Sequence, residues 1–365
     1  MDAIQDVLGT IIGQLQTPTL AFLIAGMMLA ALGSKIEVPK PVYSFIVMVL
    51  LLKVGLGAGL ALREASLAEL AVPALGATLI GVAIVLLGGK TLARWRGVEG
   101  PDAIATAGLF GAVSASTLAA GMAVLDDVGM TYEGFVGALY PFMDIAALMT
   151  AIVLARLAEV RAVGQAATQT TLLMADGTQA LSARPVTTAT VTQTKAGFDG
   201  AAIRGMFSDT LRSPPISALL LGLVLGLVAD TAPVYETFFT PLFKGFLCIL
   251  MLCMGMEAWS RLAELRGVAH AYLLYGLTAP IIHGMLGFGV GLVAHELTGF
   301  SAGGVVLLAV MAASSSDVSG PPTIRAAIPK ANPSAYIGSS TGLGTPVAIL
   351  SIPLYIALAE RFVGG

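Results

Sequence analysis

Charge is what this sequence has least of. Lys, Arg, Asp and Glu together make up 11% of its 365 residues, against roughly 25% in a soluble globular domain. That excludes a chain whose main solvent is water. Histidine occurs three times and cysteine twice. His270 and His283 stand apart on one apolar segment with no convergent Cys or Glu, so no transition-metal site is expected. Cys248 and Cys253 share another apolar run and are read as small core residues, not ligands. HExxH and GxSxG are missing, which argues against an intramembrane enzyme, and without GxxxxGK[ST] ATP is not the direct energy source. A formal net charge of −3 with no basic-aromatic patch gives no reason to expect nucleic acid as a partner.

What is present is apolar length. Hydrophobic residues make up 56% of the chain, and its mean hydropathy is +0.89. The apolar runs approach the ~20 residues that a 1.5 Å rise needs to cross about 30 Å of hydrocarbon. They predict an all-α polytopic membrane protein with ten transmembrane helices, at 17–33, 42–62, 70–89, 102–125, 134–156, 214–229, 238–256, 268–294, 301–327 and 336–359. The opening MDAIQDVLGT has acidic residues and no basic n-region, so the first span is expected to remain in the mature chain. Basic residues recur in alternate loops (Lys35, Lys40, Lys90, Arg94, Arg96, Arg261, Arg266, Arg325, Lys330). Acidic residues gather in the others (Asp126, Asp127, Glu133, Asp230, Glu236). The positive-inside rule then predicts both termini outside the cytoplasm, with Arg63 as the main exception.

Two halves align without a gap. PVYSFIVMVLLLKVGLGAGLALREA lies over PLFKGFLCILMLCMGMEAWSRLAEL, so that Pro41 matches Pro241, Gly55 matches Gly255 and Glu64 matches Glu264. At the same spacing, Ser114 and Ser116 fall on Ser314 and Ser316. Five spans separate equivalent positions, an odd number, which predicts two inverted five-helix repeats, 1–161 and 213–365. Between them, 162–212 is rich in Ala, Thr and Gln and reads as a cytoplasmic linker, either a tether or a docking segment for a soluble partner.

Spans 4 and 9 are interrupted at mid-length. Gly108, Gly111 and the serines weaken the first; Ser314 to Ser316, Gly320 and Pro321-Pro322 interrupt the second. Backbone groups freed at membrane depth must be buried in protein or face a wet cavity. Two inverted breaks bring free N–H groups and positive helix ends to one small volume, which suits an enclosed anion. Gly111, Ser114, Ser116, Thr117, Ser314, Ser315 and Ser316 are the anion-binding candidates, with close helix packing as the alternative for each serine.

Asp144 lies inside span 5, and Asp317 follows the serine run. A carboxylate at the bilayer centre costs about 2.5–3.5 kcal/mol, which points to ion binding. For Asp144 the readings are sodium or proton coordination, or a structural partner for Lys53 or backbone; for Asp317, ion binding or a helix cap. Lys53 itself reads as structural, with a snorkelling stem. Importing a monovalent anion into a negative cell costs about 2.3 kcal/mol per 100 mV, which one co-transported cation cancels. A tenfold sodium gradient then supplies about 1.4 kcal/mol. Sodium is thus the expected coupling ion, with no cofactor.

These residues resemble a known family. QTPTLAFLIAGMMLAALG, LLKVGLGAGLALR, GLFGAVSAST and GALYPFMDIAALMTAIV, with SSSDVSGPPTIRAAIPKANPS and STGLGTPVAILSIPLY in the second half, are similar to the SbtA family of sodium-dependent bicarbonate transporters. The resemblance covers nearly the whole chain apart from the linker. It implies a homotrimer in a bacterial inner membrane, surrounded by lipid. A core domain (spans 3–5 and 8–10) with crossed, broken helices would move against a gate domain (spans 1–2 and 6–7) in an elevator-type alternating-access cycle. It further implies bicarbonate near the breaks, with sodium at Asp144, Asp317, Thr341 and Thr345, and a PII-like regulator on the cytoplasmic side. Transport of another small anion is the alternative.

Overall fold

In hydrocarbon, backbone N–H and C=O groups find no water, and a spanning segment satisfies them internally by coiling into a helix. The computed structural model describes residues 18–36, 38–63, 67–175, 208, 212, 214–264 and 270–364, and among these every regular element is helical. Among the described residues, seven helical stretches are long and apolar enough to cross a membrane, accompanied by three shorter apolar helices. The chain is a multi-pass membrane protein.

The first half comprises α1 (Pro18–Ala31), α2 (Lys40–Leu62) and α3 (Leu67–Leu92), then the broken pair α4 (Gly100–Gly111) and α5 (Ala115–Val128). A 3-10 segment, Gly134–Leu139, leads into α6 (Tyr140–Ala175). The second half comprises α7 (Pro214–Val228), a π-turn at Tyr235–Phe239, α8 (Thr240–Glu264), α9 (His270–Thr298), and the broken pair α10 (Ala302–Ala313) and α11 (Gly320–Ala327). The last apolar stretch runs through α12 (Pro333–Ile337), a π-helical segment Gly338–Gly344, α13 (Thr345–Leu350) and α14 (Ile352–Phe362).

Two elements differ from expectation. Helix α6 continues to Ala175, past the expected start of the linker at 162. The run 162–175 contains Ala, Gln and Leu but no proline, so a helix already nucleated in the membrane extends through it. The remainder of the linker, 176–207, and Glu64 of the aligned pair lie outside the described residues. The final stretch, expected as one span, is interrupted by the π-helical GSSTGLG, where two serines, a threonine and three glycines weaken the α-helical register.

Packing between helices depends on glycine, because lipid tails are as apolar as leucine and close backbone approach must replace the hydrophobic effect. A Cβ on Gly26 would strike the Leu252 carbonyl, and one on Gly255 the Leu23 carbonyl, so α1 and α8 cross in direct backbone contact. Gly55 against Leu219 and Gly222 against Leu52 do the same for α2 and α7. Arg63, the exception to the charge bias, donates to the carbonyls of Gly226 at 2.7 Å and Ala229 at 2.6 Å, closing the C-terminus of α7. Helix α3 packs on α4 and α6, and α9 on α10. The α4–α5 stretch is the most completely enclosed of the membrane-length segments, as an interrupted helix requires.

Candidate functional site

The break between α4 and α5 occupies three residues. Ala112 and Ser114 are extended, at φ −84°, ψ 154° and φ −87°, ψ 120°. Ser114 then caps α5, its Oγ accepting the Thr117 N–H at 3.1 Å. The second break runs from Ser314, extended at φ −70°, ψ 170°, to Ser319. Pro321 and Pro322 do not make this break. They begin α11, where the missing N–H is no loss, and the serine run before them opens the helix.

The two breaks touch. The Ser114 N–H donates to Ser314 Oγ at 3.0 Å, and the Ser316 N–H to the Leu109 carbonyl at 2.9 Å. Ser114 Oγ and Ser116 Oγ are 2.8 Å apart, and Ser116 donates to Asp317 Oδ2 at 2.6 Å. Asp144 Oδ1 accepts the Val113 N–H at 3.1 Å, while its Oδ2 accepts the Ser319 hydroxyl at 3.4 Å. Ser316 Oγ bonds Ser319 Oγ at 3.1 Å and receives the Gly320 N–H at 2.9 Å. Ser114, Ser116, Thr117, Asp144, Ser314, Ser315 and Ser316 are all buried, and Asp317 is partly so.

Of the expected site residues, Ser114, Ser116, Ser314 and Asp317 thus form one hydrogen-bonded group and Asp144 and Ser316 a second, joined through Ser319, and the two adjoin along the backbone at 113–114 and 316–317. Ser315 turns to another: its Oγ lies 3.2 Å from both the Ser340 carbonyl and Thr345 Oγ1, at the π-helical segment. Thr341, in that segment, and Thr117, in the first turn of α5, each bury a hydroxyl without a partner among the described residues. Gly111 ends α4, where a Cβ would meet Val85 Cγ2 at 2.7 Å and the Gly81 carbonyl at 3.0 Å; its lack of a side chain admits α3. Asp317 does not cap α11. Ser319 holds the N-cap position, and Asp317 faces Ser116 and the phenol of Tyr43, which donates to it at 3.4 Å. Asp144 takes backbone as its partner, whereas Lys53 lies against Phe243 and Tyr235.

Three participants escaped the sequence reading. Ser319 joins Asp144 to Ser316. Tyr43 reaches the crossing from α2. Glu257, half-buried in α8, lies in electrostatic reach of both Asp317 and Tyr43. Glu257 carried a signal, a carboxylate at the edge of an apolar run, of the kind that marked Asp144. Tyr43 had none, since PVY and PLF align as ordinary apolar sequence.

The rim is also organised. Glu133 accepts the Ser301 N–H at 2.6 Å and its hydroxyl at 2.8 Å, and Asp102 accepts the Asn332 N–H at 2.8 Å. Tyr132, outside the spans, donates to Asp126 at 3.1 Å; burial, with Asp126 beside it, pushes its phenol up. Inside this frame, the first-turn N–H groups of α5 and the hydroxyls offer donors to an anion, and the carboxylates and hydroxyl oxygens offer ligands to a hard monovalent cation. A comparison with curated proteins finds no match. A family model described as the Na+-dependent bicarbonate transporter superfamily matches residues 18–360.

Proposed function

The chain belongs to the Na+-dependent bicarbonate transporter superfamily, and from that premise we propose that it couples bicarbonate uptake to sodium at the contact between its two broken helices. The observation that carries the proposal is the Ser114–Ser314 hydrogen bond at the crossing, flanked by Asp144 and Asp317. Bicarbonate binds at the positive end of α5, where the orphaned Thr117 hydroxyl and the first-turn N–H groups that Ser114 does not cap complete its hydrogen bonds. Ser116 and Ser314 border the same space. Sodium binds on the carboxylate side, at Asp144 and Asp317, with Thr345 and Thr341 adding neutral oxygens through the π-helical segment. Each ion then offsets the other's desolvation, and the two together add no net charge to the site. Transport breaks no covalent bond, so no catalytic residue is assigned.

Counting the three shorter apolar helices with the seven longer stretches gives ten spans, and their contacts support the inverted repeat. Gly55 on Leu219 answers to Gly255 on Leu23, and Gly222 on Leu52 to Gly26 on Leu252. Asp102 with Asn332 answers to Ser301 with Glu133. Each pair maps onto the other when the halves exchange. In this reading α1, α2, α7 and α8 form the gate, and the remaining helices form the core that carries the site. Sliding of the core gives elevator-type access from the two sides of a bacterial inner membrane, with both termini outside. A homotrimer held by the gates, and a PII-like regulator on the cytoplasmic side, complete the proposal.

Uptake of labelled bicarbonate into proteoliposomes, with and without an inward sodium gradient, tests it. Uptake should rise at least several-fold with the gradient. Indifference to sodium would end the coupling, and sodium-driven uptake of a different small anion would reassign the substrate.

A further inference from the structure

Lys53 stands at mid-length in α2 and is 6% exposed. Its ammonium lies 4.4 Å from the Phe243 ring centroid and 5.4 Å from that of Tyr235. Among the described residues, no carboxylate comes within ion-pair distance of it, and no hydrogen bond holds it. Asp126 and Glu236 act on it only from a distance, and Asp126 already accepts from Tyr132. Aromatic faces attract a cation but offer no acceptor for its three N–H donors. A lysine kept only for packing would snorkel to water or meet a carboxylate at this depth.

The inverted pairing removes the packing explanation further. Gly55 and Gly255 make equivalent backbone crossings, yet the residue two positions before Gly255 is the uncharged Cys253 where α2 has Lys53. The crossing itself needs no charge. Helices α2 and α8, which hold Lys53 and Phe243, also both pack against α5, whose N-terminus meets the serine cluster. Lys53 is therefore a mostly buried cation on a helix that packs against the half-helix leading from the rim at Asp126 to the crossing.

We propose that Lys53, walled by Phe243 and Tyr235, is a second station for the transported small monovalent anion, occupied between the Asp126 rim and the crossing. The inference rests on the transport reading above. An arriving anion gives the ammonium the acceptor it lacks, and the low-dielectric walls strengthen the attraction. The site at the crossing then takes the anion in exchange for the donors of α5. The acidic rim favours the cation, and the lysine beneath it favours the anion.

The test uses the full chain in proteoliposomes, with half-saturating bicarbonate as the readout. Lys53→Met and Lys53→Gln should raise it about tenfold, while Lys53→Arg, which keeps the charge, stays within about threefold. Wild-type affinity in Lys53→Met overturns the inference. If Lys53→Met fails to insert, Lys53→Gln against Lys53→Arg decides: equal half-saturating bicarbonate in the two, with the charge lost in one and kept in the other, overturns the inference. A wild-type chain that carries another anion instead of bicarbonate overturns the substrate reading, and Lys53 is then judged by the same variants against that anion. A wild-type chain that carries no anion overturns both.

Discussion

At the scale of single residues, Thr117 separates binding from packing most cleanly. Its hydroxyl is buried without a partner among the described residues, and its N–H is taken by Ser114. An orphaned buried hydroxyl costs about 1–3 kcal/mol, so Thr117→Val should leave stability unchanged or higher if the residue only fills space. If the hydroxyl meets bicarbonate, the same variant should raise half-saturating bicarbonate about tenfold with no loss of thermal stability. Ser114→Ala discriminates less well, because it also removes an N-cap worth about 1 kcal/mol. Asp144→Asn is the cation counterpart. The amide oxygen can still accept the Val113 N–H at 3.1 Å, so the fold should survive while the sodium concentration at half-maximal uptake rises at least several-fold. An unchanged sodium titration would remove Asp144 from the cation site. The chemical types at the crossing were legible in the sequence because carboxylates and serine runs are conspicuous in apolar spans. The pairing was not: nothing in SSSDVSGPP says that Asp317 turns to Ser116 and Tyr43 while Ser319 turns to Asp144, since that depends on the path of 314–319 in space.

At the scale of elements, the glycines divide into those that set a crossing and those that do not. A Cβ on Gly55 would collide with the Leu219 backbone of α7, and backbone cannot rotate away as a side chain can. Gly55→Ala should therefore cost at least the 1–3 kcal/mol typical of overpacking and lower the thermal midpoint of the purified protein. Gly245, in α8, would meet nothing within 4 Å. Gly245→Ala should be neutral or stabilise by up to about 1 kcal/mol, because alanine loses less conformational entropy in a helix. Equal midpoints for the two variants would refute the crossing argument. The existence of these helices followed from apolar length, and the matched Gly55 and Gly255 already hinted at their use. Their partners did not follow, because a glycine in an apolar run looks the same whether it faces another backbone or lipid. The π-helical segment at Gly338–Gly344, which packs against α8 and α9, was also hidden, because glycine and serine in an apolar run do not by themselves specify a π register.

At the scale of the whole molecule, the question is whether the helices that carry the crossing move as a body against α1, α2, α7 and α8. The Lys244–Asp127 ion pair joins α8 to the end of α5 at 2.9 Å. Lys244 is 60% exposed in its side chain, so the pair adds at most about 1 kcal/mol and can open at little cost. The Arg63 contact with the Ala229 carbonyl joins α2 to the end of α7, which in the proposed division would lie within one body. Cysteine pairs at these two places distinguish the motions once Cys248 and Cys253 have been replaced by alanine. A short thiol cross-linker across Asp127→Cys and Lys244→Cys ties one body to the other, so it should abolish most sodium-driven uptake, and cleaving the linker should restore it. The same linker across Arg63→Cys and Ala229→Cys ties a body to itself and should leave uptake close to that of the uncross-linked protein. Full uptake with the first link in place would mean that α5 and α8 stay together through the cycle, and access to the crossing would then have to alternate through small local rearrangements around Tyr43 and Asp317 rather than through sliding of the core.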